Sequence, residues 1–188
     1  MAETRDWQGT KDMSARLLKE RTGEGVEEWN RRIKRERVEN EEDLRAWLTK
    51  QGVTGYAQSL LVMERFGYPD FMLATAGELI EGQYADRPRL RPIFDAVIDA
   101  ASGLGNVTIQ ARKTFVSLVS PRRTFARIQP TTRDRVDLSL RLEGRKPSGR
   151  LKASKIHETM PLRVELTARS DVDSDVLRWL QKAYDENR

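Results

Sequence analysis

The chain has 188 residues, of which 38% are hydrophobic and 34% are charged, and this balance supports a modest core beneath a highly charged surface. The absence of cysteine and the presence of a single histidine exclude disulfides, thiolate metal sites and histidine-rich metal centres. No apolar run approaches the roughly 20 residues needed to cross a bilayer, and the polar N-terminus carries no secretory signal, so we expect a cytoplasmic protein without membrane contact.

Positive charge is concentrated in the second half of the chain. The formal net charge is +5, but residues 1–87 carry 14 basic against 17 acidic side chains, whereas residues 88–188 carry 20 against 12. Within residues 106–155 the count is 13 against 3. A regional excess of this size predicts that this part of the chain meets an anionic partner.

The first part of the chain has the pattern of a small helical bundle. Residues 1–11 are polar and are interpreted as a leader, and residues 12–82 are predicted to form the helical domain. Val26, Trp29 and Ile33 follow three- and four-residue spacing, which places them on one face of a helix. Comparable apolar stripes, each preceded by a capping residue and followed by glycine, predict further helices around this one.

Residues 88–188 are predicted to form a basic α/β domain. The apolar positions of 89–102 follow the helical template, and those of 135–142 alternate with polar residues as in a half-buried strand. Further strands are expected at 107–111, 114–119, 124–129 and 162–166, and a closing helix at 173–186. The predicted fold class is therefore α+β, a small helical bundle followed by a helix, about five mostly antiparallel strands and a helix, with helices covering one sheet face.

Both parts of the chain resemble known domain families. Residues 19–66, with Glu27-Glu28-Trp29 and Ala46-Trp47-Leu48, resemble the helical DUF4287 domain. Residues 91–184 resemble the DUF5655 domain, through Arg112-Lys113-Thr114-Phe115-Val116-Ser117 and Trp179-Leu180. Both families are of unknown function, so the resemblance implies a fold and supplies no catalytic residue.

The residue inventory argues against an enzyme. His157 stands alone in a polar stretch, where a metal ligand would need companions. Asp137 lies on a predicted strand, as the acid of a magnesium-dependent nuclease would, but neither Glu143-Gly144-Arg145 nor Glu165-Leu166-Thr167 supplies the lysine of a Glu-x-Lys motif. Motifs for a nucleophilic serine or a phosphate loop are also missing. We therefore expect no catalytic residue, no metal site and no cofactor.

The basic sheet is the candidate binding surface. If Val116 and Ile128 face the covering helices, alternation turns Phe115, Phe125 and Arg127 to the opposite face. Aromatic rings among arginines on an open sheet are typical of proteins that bind single-stranded nucleic acid. The candidate nucleic-acid-binding residues are Arg112, Lys113, Phe115, Arg122, Arg123, Phe125, Arg127, Arg133, Arg135 and Arg141.

Three functions stay open at this point. Non-enzymatic binding of DNA or RNA by the basic sheet is favoured. The first alternative is a protein-interaction or regulatory module, in which the N-terminal helical domain binds a protein partner. The second is a small-ligand-binding domain with an apolar cavity lined by Phe115 and Phe125. The same two rings could instead form a second core layer, covered by residues 143–161 or by the N-terminal helices.

Overall fold

The structure, a computed structural model, describes residues 3–5 and 7–188. The chain divides into two compact units, one of residues 7–73 and one of residues 74–188 with an N-terminal strand, β1 (Glu3–Arg5). Residues 76–82, which the sequence pattern groups with the helical bundle, lie in the second unit. On the same helix, Tyr84 is buried in the core of this unit with Ile80 packed against that core, and Gln83 Nε2 donates to the carbonyl oxygen of Arg112 at 2.7 Å.

The first unit is helical. Its helices are α1 (Gln8–Thr22), α2 (Val26–Glu36), α3 (Glu41–Lys50), α4 (Gly55–Phe66) and α5 (Asp70–Leu73). In the predicted stripe of α2, Trp29 and Ile33 are each 2% exposed and Val26 is half-buried. Trp29 packs edge-on against Trp47, with ring centroids 6.1 Å apart, and its Nε1 donates to the Thr22 hydroxyl at 3.0 Å. No helix in the described part of the chain is long and apolar enough to cross a membrane.

The second unit joins helices to an antiparallel sheet, which confirms the predicted α+β class. The helices are α6 (Ala76–Tyr84), α7 (Arg91–Ser102) and α8 (Ser174–Asp185). The strands after β1 are β2 (Thr108–Ala111), β3 (Val116–Val119), β4 (Thr124–Pro130), β5 (Val136–Leu140), β6 (Leu151–Ala153) and β7 (Leu162–Leu166). Among the described residues the sheet order is β1-β2-β3-β4-β5-β7-β6, and β1 alone pairs in parallel.

One face of the sheet forms the core with the helices. Val116, Leu118, Ile128 and Leu138 are fully buried on this face, in one cluster with apolar residues of α7 and α8. Burying a side chain of this size contributes about 1.5–3 kcal/mol. The alternation predicted for the strands is therefore the alternation that the core requires, and it leaves the opposite face to polar residues.

Phe125 departs from this alternation. The pairing of β3 with β4 shifts between Leu118 and Val119, so that Phe125 is an extra residue without a partner on β3. A bulge changes the direction in which the side chains of a strand point. Here the two consecutive residues Phe125 and Ala126 are both fully buried. The Phe125 ring packs edge-on against Tyr184 of α8, with centroids 5.3 Å apart. The prediction that Phe125 lies on the open face is wrong, since simple alternation breaks at the bulge.

Candidate anion-binding site on the open sheet face

The face opposite the helices carries polar side chains in cross-strand register. One row, running from β3 through β4 and β5 to β7, consists of Ser117, Arg127, Ser139 and Arg163. The neighbouring row consists of Gln129, Asp137 and Glu165. Cations and carboxylates thus stand side by side, and the charge that this face presents depends on which of them pair.

Asp137 is the centre of an ion network on β5 and β7. Its carboxylate is fully buried and accepts hydrogen bonds from Arg163 Nη1 at 3.1 Å and from the Thr131 hydroxyl at 2.7 Å. Arg135 Nε lies 3.1 Å from its other oxygen. Both oxygens of Asp137 are therefore held by cationic side chains, an arrangement that stabilises a buried carboxylate and competes with a metal ion.

Glu165 extends the same network to β6. Arg163 Nη2 donates to Glu165 Oε1 at 2.9 Å, and Lys152 Nζ donates to Oε2 at 2.6 Å. The Lys152 hydrogen bond, together with the nearby charge of Arg135, holds the pKa of Glu165 below its usual value. The Glu-x-Lys motif lacks its lysine in the sequence, and the structure places Lys152 of β6 beside Glu165. This lysine forms an ion pair with Glu165.

Arg127 stands apart from this network. Its guanidinium lies over the Phe115 ring, 3.4 Å from the ring centroid, and burial lowers its pKa. Within the described residues, its side chain makes no ion pair, and its Nε is buried with no hydrogen-bond partner. A desolvated cation without a counter-charge is costly, and an anion from outside the chain would offset that cost.

A small cavity lies beside Arg127. Its volume is about 230 Å³ and its lining includes Arg112, Phe115, Arg127, Arg141, His157 and Thr159. In the part of the chain that the structure describes, no aspartate or glutamate belongs to the lining. The cavity is therefore basic on several sides at once, and it suits an anion.

The register explains why three arginines surround one space. Arg112 donates its backbone N–H to Phe115, which places it beyond one end of the β3–β4 pairing. Arg141 donates its backbone N–H to Phe125 and its Nε to the Thr124 carbonyl oxygen, each at 2.9 Å, on the other side of Arg127. Arg112 and Arg141 thus flank Arg127 along the strand direction.

The remaining wall comes from the loop between β6 and β7. His157 Nδ1 lies 3.3 Å from the backbone nitrogen of Thr159 and 2.9 Å from its hydroxyl oxygen, and these contacts hold the ring within the loop. Met160 is buried and anchors the loop. Sequence reasoning assigned His157 no ligand role, and no local signal could have placed it beside Arg127, thirty positions earlier in the chain.

The comparison with known families covers this whole site. Residues 80–187 match the sequence model of DUF5655, a domain of unknown function. The chain belongs to the DUF5655 family. Neither the curated proteins nor the solved structures contain a match to the chain. All the residues of the cavity named above lie within the DUF5655 domain.

The DUF5655 domain brings together only part of the predicted set. Arg112, Phe115, Arg127 and Arg141 line the cavity, although Arg141 Nη1 also lies 3.7 Å from Glu143. Arg135 belongs to the Asp137 network, and Arg123 pairs with Glu143 at 3.5 Å. Lys113, Arg122 and Arg133 are exposed at or beside turns. Arg127 thus differs from Arg123, Arg135 and Arg141, each of which pairs with a carboxylate, because it makes no ion pair among the described residues.

Proposed function

We propose that the DUF5655 domain of this chain binds nucleic acid, DNA or RNA, through the cavity beside Arg127. The single observation that carries the proposal is the half-buried Arg127 guanidinium, stacked on Phe115 and without a carboxylate partner among the described residues. A planar guanidinium fork recognises phosphate with two parallel hydrogen bonds. The 13 basic side chains of residues 106–155 would add the long-range attraction that a polyanion needs.

The test is a binding titration of labelled single-stranded DNA and RNA at several salt concentrations. We expect the logarithm of affinity to fall linearly with the logarithm of salt, by about 0.7 for each phosphate neutralised. Arg127→Met should weaken binding about 10-fold, since charge-assisted hydrogen bonds contribute roughly 1.5–3 kcal/mol.

The matched control is Arg178→Met, which makes the same change of charge. Arg178 is exposed on α8, on the opposite side of the sheet, and pairs with Asp175. This variant should bind as the unmodified chain does. Absence of binding at low salt, or equal losses in the two variants, would contradict the proposal.

A second candidate function concerns the helical unit, which we propose to be a DUF4287-like domain that binds a protein partner. An apolar cavity of about 430 Å³ opens between its helices, lined by Tyr56, Met63, Phe66 and Phe71. Tyr56 is 61% exposed and Phe66 is 42% exposed, as at surfaces that bury aromatic anchors on binding. A partner retained after nuclease treatment and lost with Tyr56→Ala would support this role.

We also propose a cytoplasmic location. The cysteine-free composition supports it, because such a chain needs no oxidising compartment to fold. Fractionation of the native cells would test it, and recovery of the protein outside the cytoplasm would refute it.

A further inference from the structure

We infer that the cavity beside Arg127 receives a phosphomonoester, the group at a phosphorylated strand end or on a mononucleotide, in preference to an internal phosphodiester. The inference rests on the proposed function in one respect, namely that the phosphate comes from nucleic acid. Three features of the cavity support it: its volume, its charge and the position of the Phe115 ring.

The volume of the cavity suits a group at the end of a strand. Pockets for drug-sized ligands measure about 300–1,000 Å³. At about 230 Å³ this cavity is smaller, and it has room for a phosphate with little more than its attached sugar. The loop that carries His157 and Thr159 lines the cavity together with Arg127. An end group can enter such a space, whereas a continuous strand needs a groove.

The charge of the lining matches a dianion. A phosphomonoester carries a charge of about −1.5 to −2 near pH 7 and three strong acceptor oxygens, whereas a diester carries one negative charge. Arg112, Arg127 and Arg141 line the cavity, and no carboxylate belongs to the lining among the residues that the structure describes, although Arg141 Nη1 lies 3.7 Å from Glu143 outside it. Arg127 makes no ion pair among the described residues. A dianion attracts this guanidinium about twice as strongly as a monoanion at the same distance.

The Phe115 ring points to recognition of the phosphate in place of a base. The Arg127 guanidinium covers one face of this ring at 3.4 Å, so a nucleobase cannot stack there. The other predicted stacking ring, Phe125, is fully buried in the core. Neither ring therefore offers an open face on which a base of a single strand could stack. The guanidinium fork of Arg127 is the main feature presented to a ligand.

The experiment uses the full chain and one oligonucleotide sequence with a 5′-phosphate, a 3′-phosphate or hydroxyl ends. At least one phosphorylated form should bind about 10-fold more tightly than the hydroxyl form, as expected for a charge-assisted contact. This advantage should disappear in Arg127→Met and persist in Arg178→Met. A thermal melt of each variant checks that the loss is not a loss of folding.

Competition with a nucleoside monophosphate and with inorganic phosphate separates the sources of the group. Equal affinity for phosphorylated and hydroxyl ends, with salt-dependent binding retained, overturns the inference and leaves the proposed function standing. A monophosphate that binds as tightly as the phosphorylated strand supports the phosphomonoester site and overturns nucleic acid as its ligand. Failure of every probe to bind overturns both.

Discussion

Two arginines on the same face of the sheet should differ in how much their replacement by methionine lowers stability. Arg163 contacts the fully buried Asp137 at 3.1 Å and Glu165 at 2.9 Å. Removing one partner of a buried charge costs about 3–5 kcal/mol when nothing replaces it. Because Arg135 and Thr131 still contact Asp137, we expect Arg163→Met to lower the free energy of unfolding by about 2–3 kcal/mol.

Arg127→Met should lower stability less than Arg163→Met does, or raise it. The substitution relieves the cost of a buried Nε–H group without a hydrogen-bond partner, about 1–3 kcal/mol, and loses a cation–π contact with Phe115, worth about 0.5–2 kcal/mol at a site partly removed from water. Methionine keeps much of the apolar stem in place. The net change therefore lies between a loss of about 1 kcal/mol and a gain of about 2.5 kcal/mol, and Arg163→Met should be the less stable variant by about 1–5 kcal/mol.

Native-state hydrogen exchange of the β4 and β5 amides measures this difference, because it reports opening of the sheet separately from the helical unit. A chemical denaturation curve followed by circular dichroism provides an independent check. A destabilisation of the sheet by Arg127→Met as large as that by Arg163→Met would refute this expectation. That result would mean that Arg127 is held by interactions within the chain and has no need of an external anion.

Three further substitutions test other parts of the DUF5655 domain. Phe125→Ala should cost about 3–5 kcal/mol, as for a core ring, with ligand affinity per folded molecule unchanged; a mild loss of stability with lost binding would contradict its place in the core. Gly105→Ala should cost about 2 kcal/mol in a thermal melt, because φ is +131° and the new Cβ would lie 2.8 Å from the Tyr184 hydroxyl; an unchanged melt would exclude this close approach. Asp171 accepts the backbone N–H groups of two residues, chiefly that of Thr167, which lowers its pKa, so its stabilisation is present above its ordinary value of 3.8 and is lost as pH falls below it. Asp171→Asn should therefore be less stable than the unmodified chain at pH 7 and approach it in strong acid; a constant difference across pH would contradict this.

The regular elements were largely predictable, because each buries one face and so carries a periodic pattern. The stripe predicted over 89–102 is the helix Arg91–Ser102, and the alternation predicted over 135–142 is the strand Val136–Leu140. The strand Leu151–Ala153 was not predicted. It has three residues, of which only Leu151 is buried, and so short a segment cannot display the alternation of apolar and polar residues that identifies a strand. The spacing of buried residues within one helix or strand involves only neighbouring positions, so it can be read from the sequence.

The candidate site was predictable only in part. The concentration of basic residues located it within 106–155, and Arg112, Phe115, Arg127 and Arg141 do meet there. The sequence could not show which arginines find carboxylates, because that depends on cross-strand neighbours: Arg163 stands beside Asp137 and Arg127 does not.

Composition and periodicity were sufficient to establish the α+β class, the helix-covered face and the regional charge. Three other features required the folded chain: the bulge that buries Phe125, the ion network around Asp137 and the approach of His157 to Arg127. Each of these depends on strand register, which brings together residues far apart in the chain. A shift of one residue would reverse which side chains share a face, whereas the pattern along each strand would remain the same.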